Sequence, residues 1–244
     1  MRNVVLTGAA SGIGFDTALR FIANGDRVIA CDRDMVGLEA LEKAAVGMSG
    51  EVVKTALDLM DLDTFDGVEA AVAAQDRLDV LVNCAGICSG TPLDEIDPRE
   101  WDRTYAVNIR GPFFLTQRLM KYLKKGEKPC VVNVSSMAGY TGGIQSNPAY
   151  SSSKAAVTCT TKNLAKFLAP YGIRVNEVSP GTAQTQMTMN WLGEDGLKPF
   201  AERVPLGRVA VAEDIGKVIF FLASDAAGFI TGQSIQVNGG MYIP

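Results

Sequence analysis

The sequence contains no histidine. That absence excludes every Ser-His-Asp and Cys-His mechanism and removes the commonest zinc ligand. Proton transfer has to use Tyr, Lys, Asp, Glu or Cys. Cysteine is sparse: Cys31, Cys84, Cys88, Cys130 and Cys159 are odd in number and show no CxxC spacing. Cys84 and Cys88 stand four apart, but no second pair supports a metal site, so the expectation is reduced, buried thiols in a cytoplasmic protein and no metal. No stretch approaches the roughly 18–20 apolar residues that span a bilayer. The first apolar run, Val4 to Leu6, is too short for a secretory signal and leads into a turn. Basic residues are outnumbered, 23 Lys and Arg against 27 Asp and Glu. Neither a nucleic-acid patch nor a polybasic membrane anchor is expected. Repeats, low-complexity tracts and linkers are also missing, and Gly139–Gly143 reads as a loop inside the domain.

What is present is an ordinary globular balance: 244 residues, 47% hydrophobic and 20% charged. A chain of this length buries roughly 70–75% of its unfolded surface and reads as one domain. Short β-branched apolar runs predict strands at Asn3–Thr7, Arg27–Cys31, Val52–Leu57, Asp79–Asn83, Cys130–Ser135, Ile173–Val178 and Ser234–Val237. Most are apolar on successive residues, as strands covered on both faces must be. Amphipathic segments between them predict helices at Gly12–Asn24, Val36–Ala45, Leu62–Ala74, Pro98–Lys124, Ser151–Ala169 and Ala212–Ser224. The alternation specifies an α/β fold, a doubly wound seven-stranded parallel sheet with helices on both faces.

Ligands of such sheets bind beyond the carboxyl ends of the strands. The first strand ends in Thr7-Gly8-Ala9-Ala10-Ser11-Gly12-Ile13-Gly14. Small residues there let backbone approach a pyrophosphate, and the following helix offers it free N–H groups and a positive dipole. A ligand-free tight turn is the bland alternative. Asp32, 20 positions after Gly12 and followed by Arg33, stands where a carboxylate can accept from both hydroxyls of an adenosine ribose. Alone it reads equally as a turn residue or helix cap. Asp58-Leu59 and Asn83-Cys84-Ala85-Gly86 follow the third and fourth strands, with a cap and a turn as their alternatives. At the fifth strand, Ser135 and Ser136 precede Tyr150-Ser-Ser-Ser-Lys154. Residues four apart share a helix face. A lysine cation about 4 Å from the phenol contributes about 4 kcal/mol at an effective dielectric near 20, or roughly three pKa units. That would poise Tyr150 as acid and base; an exposed tyrosine on a helix face is the alternative.

Taken in order, Thr7-Gly-x-x-x-Gly12-Ile-Gly14, Asp58, Asn83-x-Ala-Gly86, Asn108, Ser136, Tyr150-x-x-x-Lys154 and Pro180-Gly181 make the chain resemble the short-chain dehydrogenases/reductases in their compact form, over essentially its whole length. The resemblance implies one NAD(P)-binding Rossmann-type domain over residues 1–244. It implies that Tyr150 is the general acid/base. Lys154 would bind the nicotinamide ribose and depress the Tyr150 pKa, Ser136 would hold the substrate oxygen, and Asn108 would fix a proton-relaying water. It further implies that Asp58 and Leu59 flank the adenine. Val178 to Gly181, with Pro180 among them, would border the nicotinamide, and Thr185 would meet its carboxamide. Three departures stand out: Cys84 where the family usually has a second asparagine, an extra residue in Gly139–Pro148, and Asp16 early in the first helix, where a favourable dipole position is the simple account.

The function expected is hydride transfer between NAD and a secondary alcohol or ketone. Asp32 is the reason for NAD over NADP, with Arg33 as the complication. A nucleotide-sensing regulator without chemistry conflicts with the intact Ser136, Tyr150, Lys154 and Asn108. An epimerase or dehydratase would need a larger C-terminal domain. Residues 140–148 and a lid at about 182–205 are expected to line the substrate pocket, with Gln145, Met187 and Trp191 as candidate substrate residues. Gln145, Ser146 and Asn147 lean toward a sugar, polyol or small hydroxylated compound; a 3-oxoacyl-thioester reductase or hydroxysteroid-type enzyme is the alternative. Relatives pair the long helices across a two-fold axis, so the resemblance implies a homotetramer.

Overall fold

The computed structural model describes residues 1–143 and 147–244, with the side chains of 190–192, 194 and 195 left aside. The strands are β1 (Asn3–Thr7), β2 (Arg27–Asp32), β3 (Glu51–Ala56), β4 (Val80–Asn83), β5 (Cys130–Val134), β6 (Arg174–Pro180), β7 (Ala183–Gln184), β8 (Ala210–Val211) and β9 (Ser234–Val237). The helices are α1 (Gly12–Ala23), α2 (Met35–Ala44), α3 (Phe65–Ala73), α4 (Pro98–Tyr105), α5 (Gly111–Leu123), α6 (Ala138–Thr141), α7 (Pro148–Leu168), α8 (Gln186–Ala201) and α9 (Ala212–Leu222). Seven strands form one parallel sheet in the order β3-β2-β1-β4-β5-β6-β9, and β7 pairs with β8 apart from it.

The two-residue period of the strands sorts their side chains into two cores. Val4 and Leu6 pack with Phe21 and Ile22 of α1, Leu38 and Leu41 of α2 and Ile215 and Ile219 of α9. Val5 and Leu81 pack with Phe65 and Val68 of α3, Leu115 and Leu119 of α5 and Leu168 of α7. Each such side chain, fully buried, contributes about 1.5–3 kcal/mol. The expected doubly wound sheet with helices on both faces is therefore the observed one. The two edge strands, β3 and β9, are half open, and on β3 Lys54 pairs with Glu42 across 2.6 Å.

Four local expectations are corrected. The single helix expected over Pro98–Lys124 is interrupted by a π-helical turn, Ala106–Arg110, in which the Gly111 N–H reaches back to Ala106 O. Pro112 cannot give the N–H that a continuous α-helix would aim at Asn108 O, and a Cβ on Gly111 would lie 2.5 Å from Leu59 O. The helix expected from Ser151 begins at Pro148, because Asn147 caps it and proline suits the first helical position. Gly139–Gly143 is not all loop: its first residues form α6, one turn long, stopped by Gly142 at φ 81°. Asp16 is placed by an ion pair rather than by the dipole: it holds Arg20 at 2.7 Å, and Arg20 also reaches Glu213 at 3.3 Å, tying α1 to α9. Within residues 182–205, α8 breaks at Gly193, and Leu197, Phe200 and Val204 are buried.

Candidate active site

The strand order reverses between β1 and β4, and a cavity of about 610 Å³ opens beyond the carboxyl ends of the strands there. The structure brings most of the sequence candidates to its wall. They are Gly8, Ser11, Gly12, Ile13 and Gly14, then Asp32 and Arg33, Asp58 and Leu59, Ala85 and Gly86, Ser136, Tyr150, Lys154, Pro180, Gly181, Thr185 and Met187. Gln145 and the Trp191 side chain lie outside what is described.

Two candidates do not reach the wall. Asn83 shares its strand parity with Leu81, so its side chain turns into the core. There Nδ2 donates to Asn133 Oδ1 at 2.9 Å and to Thr116 Oγ1 at 3.2 Å. Asn108 is buried under the loop after β4. Its Oδ1 accepts from the Ile87 N–H at 2.8 Å, and its Nδ2 donates to Ile87 O and Ser153 Oγ at 3.0 Å each. Two residues of the 140–148 segment are likewise not available to a ligand in the cavity. The Tyr140 hydroxyl donates to buried Glu177 at 2.9 Å, and Asn147 caps α7.

One end of the cavity is built for an anion and a sugar. Asp34, Asp97, Asn147 and Thr185 cap α2, α4, α7 and α8 with their side chains, but Ser11 gives α1 no side-chain acceptor. The first N–H groups of α1 are thus left to a ligand at the positive end of the helix. Gly12, at φ 55°, leaves the backbone bare there, the nearest atom to an added Cβ being Thr185 Cβ at 3.4 Å. Asp32 closes this end. Its Oδ2 accepts from the Ala10 N–H at 3.1 Å and its Oδ1 from the Asp34 N–H at 3.0 Å, which fixes the carboxylate. Arg33 is exposed at the rim. Sequence reasoning placed Thr7 in the motif but gave it no role: its Oγ1 accepts from the Cys84 and Ala85 N–H groups at 3.1 and 3.2 Å and locks the turn after β4 to β1.

At the other end, Ser136 and Tyr150 both line the cavity, and Ser136 Oγ accepts from the Ala138 N–H at 3.1 Å. Lys154 is buried, with Nζ donating to Val134 O at 2.9 Å. A Cβ on Gly86 would come within 3.1 Å of Nζ and 3.3 Å of Asn108 Oδ1, so the bare Gly86 makes the space in which these groups converge. The expected lowering of the phenol pKa is not what this geometry gives. Nζ stands 5.8 Å from the Tyr150 ring centroid and is turned to a carbonyl. Burial therefore dominates and pushes the Tyr150 phenol up to about 12, the Cys88 sulfur adding and the nearby Ser136 hydroxyl opposing. Burial also pushes Lys154 down to about 8. Cys84 and Cys88, both on the cavity wall, are only partly buried by surface but are pushed up to about 12 and about 11 by desolvation. Thiols so held are protonated at neutral pH and are not nucleophiles. Cys31 and Cys130 are buried as expected, whereas Cys159 is exposed. Among the described residues no helix is long and apolar enough to cross a membrane.

Known proteins are similar to this chain over nearly its whole length. A family model described as enoyl-(acyl carrier protein) reductase matches residues 8–242. The 3-oxoacyl-acyl-carrier-protein reductase FabG of Thermotoga maritima is 42% identical over 98% of this chain and 97% of its own length. Among solved structures, a short-chain dehydrogenase/reductase of the glucose/ribitol dehydrogenase type from Brucella melitensis superposes with TM-score 0.91. It is 36% identical, covering 100% of this chain and 97% of the other. The 3-ketoacyl-(acyl-carrier-protein) reductase of Brucella melitensis complexed with NADH also gives 0.91, at 31% identity over 99% and 98% of the two chains.

Proposed function

The chain belongs to the short-chain dehydrogenase/reductase family of oxidoreductases, and on that premise we propose that it transfers a hydride between NAD(H) and a secondary alcohol or ketone. The grouping of Ser136, Tyr150 and Lys154 at one end of a cavity whose other end holds Asp32 and the uncapped α1 carries this reading. When bound, the nicotinamide supplies the hydride acceptor or donor. The α1 N–H groups would hold the coenzyme's pyrophosphate, and Asp32 would accept from its adenosine ribose. Ser136 donates to the substrate oxygen, and Tyr150 takes that oxygen's proton in oxidation and returns it in reduction. Lys154 keeps a positive charge beside the developing phenolate. Asn108 holds Ile87 at both its N–H and its carbonyl, which fixes the loop facing Lys154.

The coenzyme choice rests on Asp32. A 2′-phosphate in its place carries about −2 charge at neutral pH, and a like charge at about 4 Å costs several kcal/mol at an effective dielectric near 20. NAD is expected to be preferred by about tenfold or more in kcat/KM, or about 1.4 kcal/mol, and Asp32→Ala is expected to narrow that ratio. Rates with both coenzymes and one alcohol measure it; a preference for NADP would assign the choice to Arg33.

Alcohol oxidation needs the phenolate and ketone reduction the phenol, so their pH dependences have opposite signs. Tyr150 and Lys154 titrate as a coupled pair. With Tyr150 at about 12, the small phenolate fraction grows from pH 7 through 9 and oxidation is expected to rise, while the phenol stays protonated and reduction is expected to fall only as Lys154, at about 8, loses its charge. Initial rates in the two directions check this, and an oxidation rate that declines over that range contradicts the assignment.

For the substrate we favour a sugar, polyol or small hydroxylated compound, with residues 182–205 as a lid. The 42% identical FabG supports a second reading, a 3-oxoacyl-thioester reductase. A panel of polyols with NAD beside a 3-oxoacyl thioester with NADH, read as absorbance, separates them. We also propose a cytoplasmic homotetramer. The exposed Trp101, Phe113, Phe114 and Phe167 on α4, α5 and α7 support association, and a light-scattering mass of one chain would refute it.

A further inference from the structure

Tyr150 is the third residue of α7, and what holds that turn lies outside the cavity. Two helix starts meet there with one pattern. Asp97-Pro98-Arg99-Glu100 opens α4 and Asn147-Pro148-Ala149-Tyr150 opens α7. In each, the cap accepts from the N–H of the third helical residue: Asp97 Oδ1 from Glu100 at 2.8 Å, and Asn147 Oδ1 from Tyr150 at 3.0 Å. A capping amide held at one end only is free to turn over. Here the other end of the buried Asn147 is gripped by two half-buried side chains. Asn147 Nδ2 lies 2.6 Å from Glu100 Oε1 and 2.5 Å from Ser89 Oγ, and the Ser89 hydroxyl donates to the same Glu100 oxygen. An ionised carboxylate only accepts. Glu100 therefore dictates that Asn147 turn Nδ2 toward it and Oδ1 toward the Tyr150 N–H. Ser89 lies in the loop after β4 whose Ala85, Gly86 and Cys88 form cavity wall and whose Ile87 is held by Asn108.

We infer that Glu100 and Asn147 are positioning residues: the Glu100 carboxylate orients the Asn147 amide, and that amide fixes the backbone of Tyr150 against the loop 84–89. The inference rests on the reading of Tyr150 as acid/base. Neither Glu100 nor Asn147 lines the cavity, so loosening the clamp lowers kcat without changing coenzyme affinity.

The test compares Asn147→Asp, Glu100→Gln and the two combined. kcat is taken per folded molecule well below the unfolding temperature, and NADH affinity by fluorescence titration. Asn147→Asp sets carboxylate against carboxylate and is expected to lower kcat about 100-fold, the scale of a misplacement near 1 Å, with NADH affinity unchanged. Glu100→Gln releases the amide orientation and is expected to lower kcat about tenfold. In the double variant donor and acceptor are exchanged: the introduced carboxylate accepts from both the Tyr150 N–H and the introduced amide. kcat is expected to recover to within about fivefold of the parent. Unchanged kcat in the single variants, or a double variant as slow as the product of the two losses, would overturn the clamp. Should Asn147→Asp fail to fold, Glu100→Gln decides alone, with unchanged kcat overturning the proposal. Tyr150→Phe, run beside them, keeps the two readings apart: turnover near the parent's would sink the acid/base assignment, whereas the exchange pattern bears on the clamp.

Discussion

Tyr150→Phe is expected to lower kcat by about 10²–10⁴-fold, the usual contribution of a general acid/base group, while NADH still binds. The substitution removes one oxygen and leaves the ring, so the packing of the first turn of α7 is retained. Ser136 keeps the Ala138 N–H on its Oγ at 3.1 Å, so its hydroxyl remains in place for a substrate. Nothing nearby takes over. The chain has no histidine, the Cys88 thiol is pushed up to about 11 and stays protonated, and Lys154 Nζ is committed to Val134 O. Steady-state rates with one alcohol and fluorescence titration of NADH check the two halves of the expectation. Turnover within tenfold of the parent, with binding intact, would remove Tyr150 from the chemistry.

The parts of this fold legible in the sequence are those that burial dictates. Strands covered on both faces carry runs such as Val4-Val5-Leu6 and Val131-Val132, both wholly buried, and no other element of so short a length needs them. Residues after those strands formed the cavity wall because topology puts them there. What escaped was set by hydrogen bonding. β7 and β8 have two residues each, too few to show a period. The interruption before α5 left its mark only in Gly111-Pro112. The start of α7 was readable in Asn147-Pro148, a cap followed by a proline. The inward turn of Asn83 was readable in its parity with Leu81. The Tyr150–Lys154 electrostatics were not readable: two residues four apart share a face, but spacing does not say that the ammonium will turn to a carbonyl.

Gly14→Ala is expected to damage stability and coenzyme binding together. Gly14 lies in the first turn of α1, where helix and β1 end meet almost backbone to backbone. An added Cβ would sit 2.0 Å from Gly8 O, 2.7 Å from Gly8 C and 3.3 Å from Ala9 N. All three are main-chain atoms, so no rotamer relieves the overlap and α1 has to back away from β1. Overpacking of this kind costs about 3 kcal/mol, and for a domain of this size that lowers the unfolding temperature by roughly 6–12 °C. The displacement also draws the α1 N–H groups off the cavity wall, so NADH affinity is expected to fall by about tenfold or more, or about 1.4 kcal/mol. Gly47→Ala is the control. Gly47 has φ 83° and nothing within 4 Å of an added Cβ, so it carries the left-handed penalty alone, about 1–2 kcal/mol, far from the cavity. Thermal unfolding and NADH titration of both variants separate strain from contact. A Gly14→Ala protein that melts with the control and binds NADH like the parent would show that the close approach of α1 to Gly8 is not what the glycine serves.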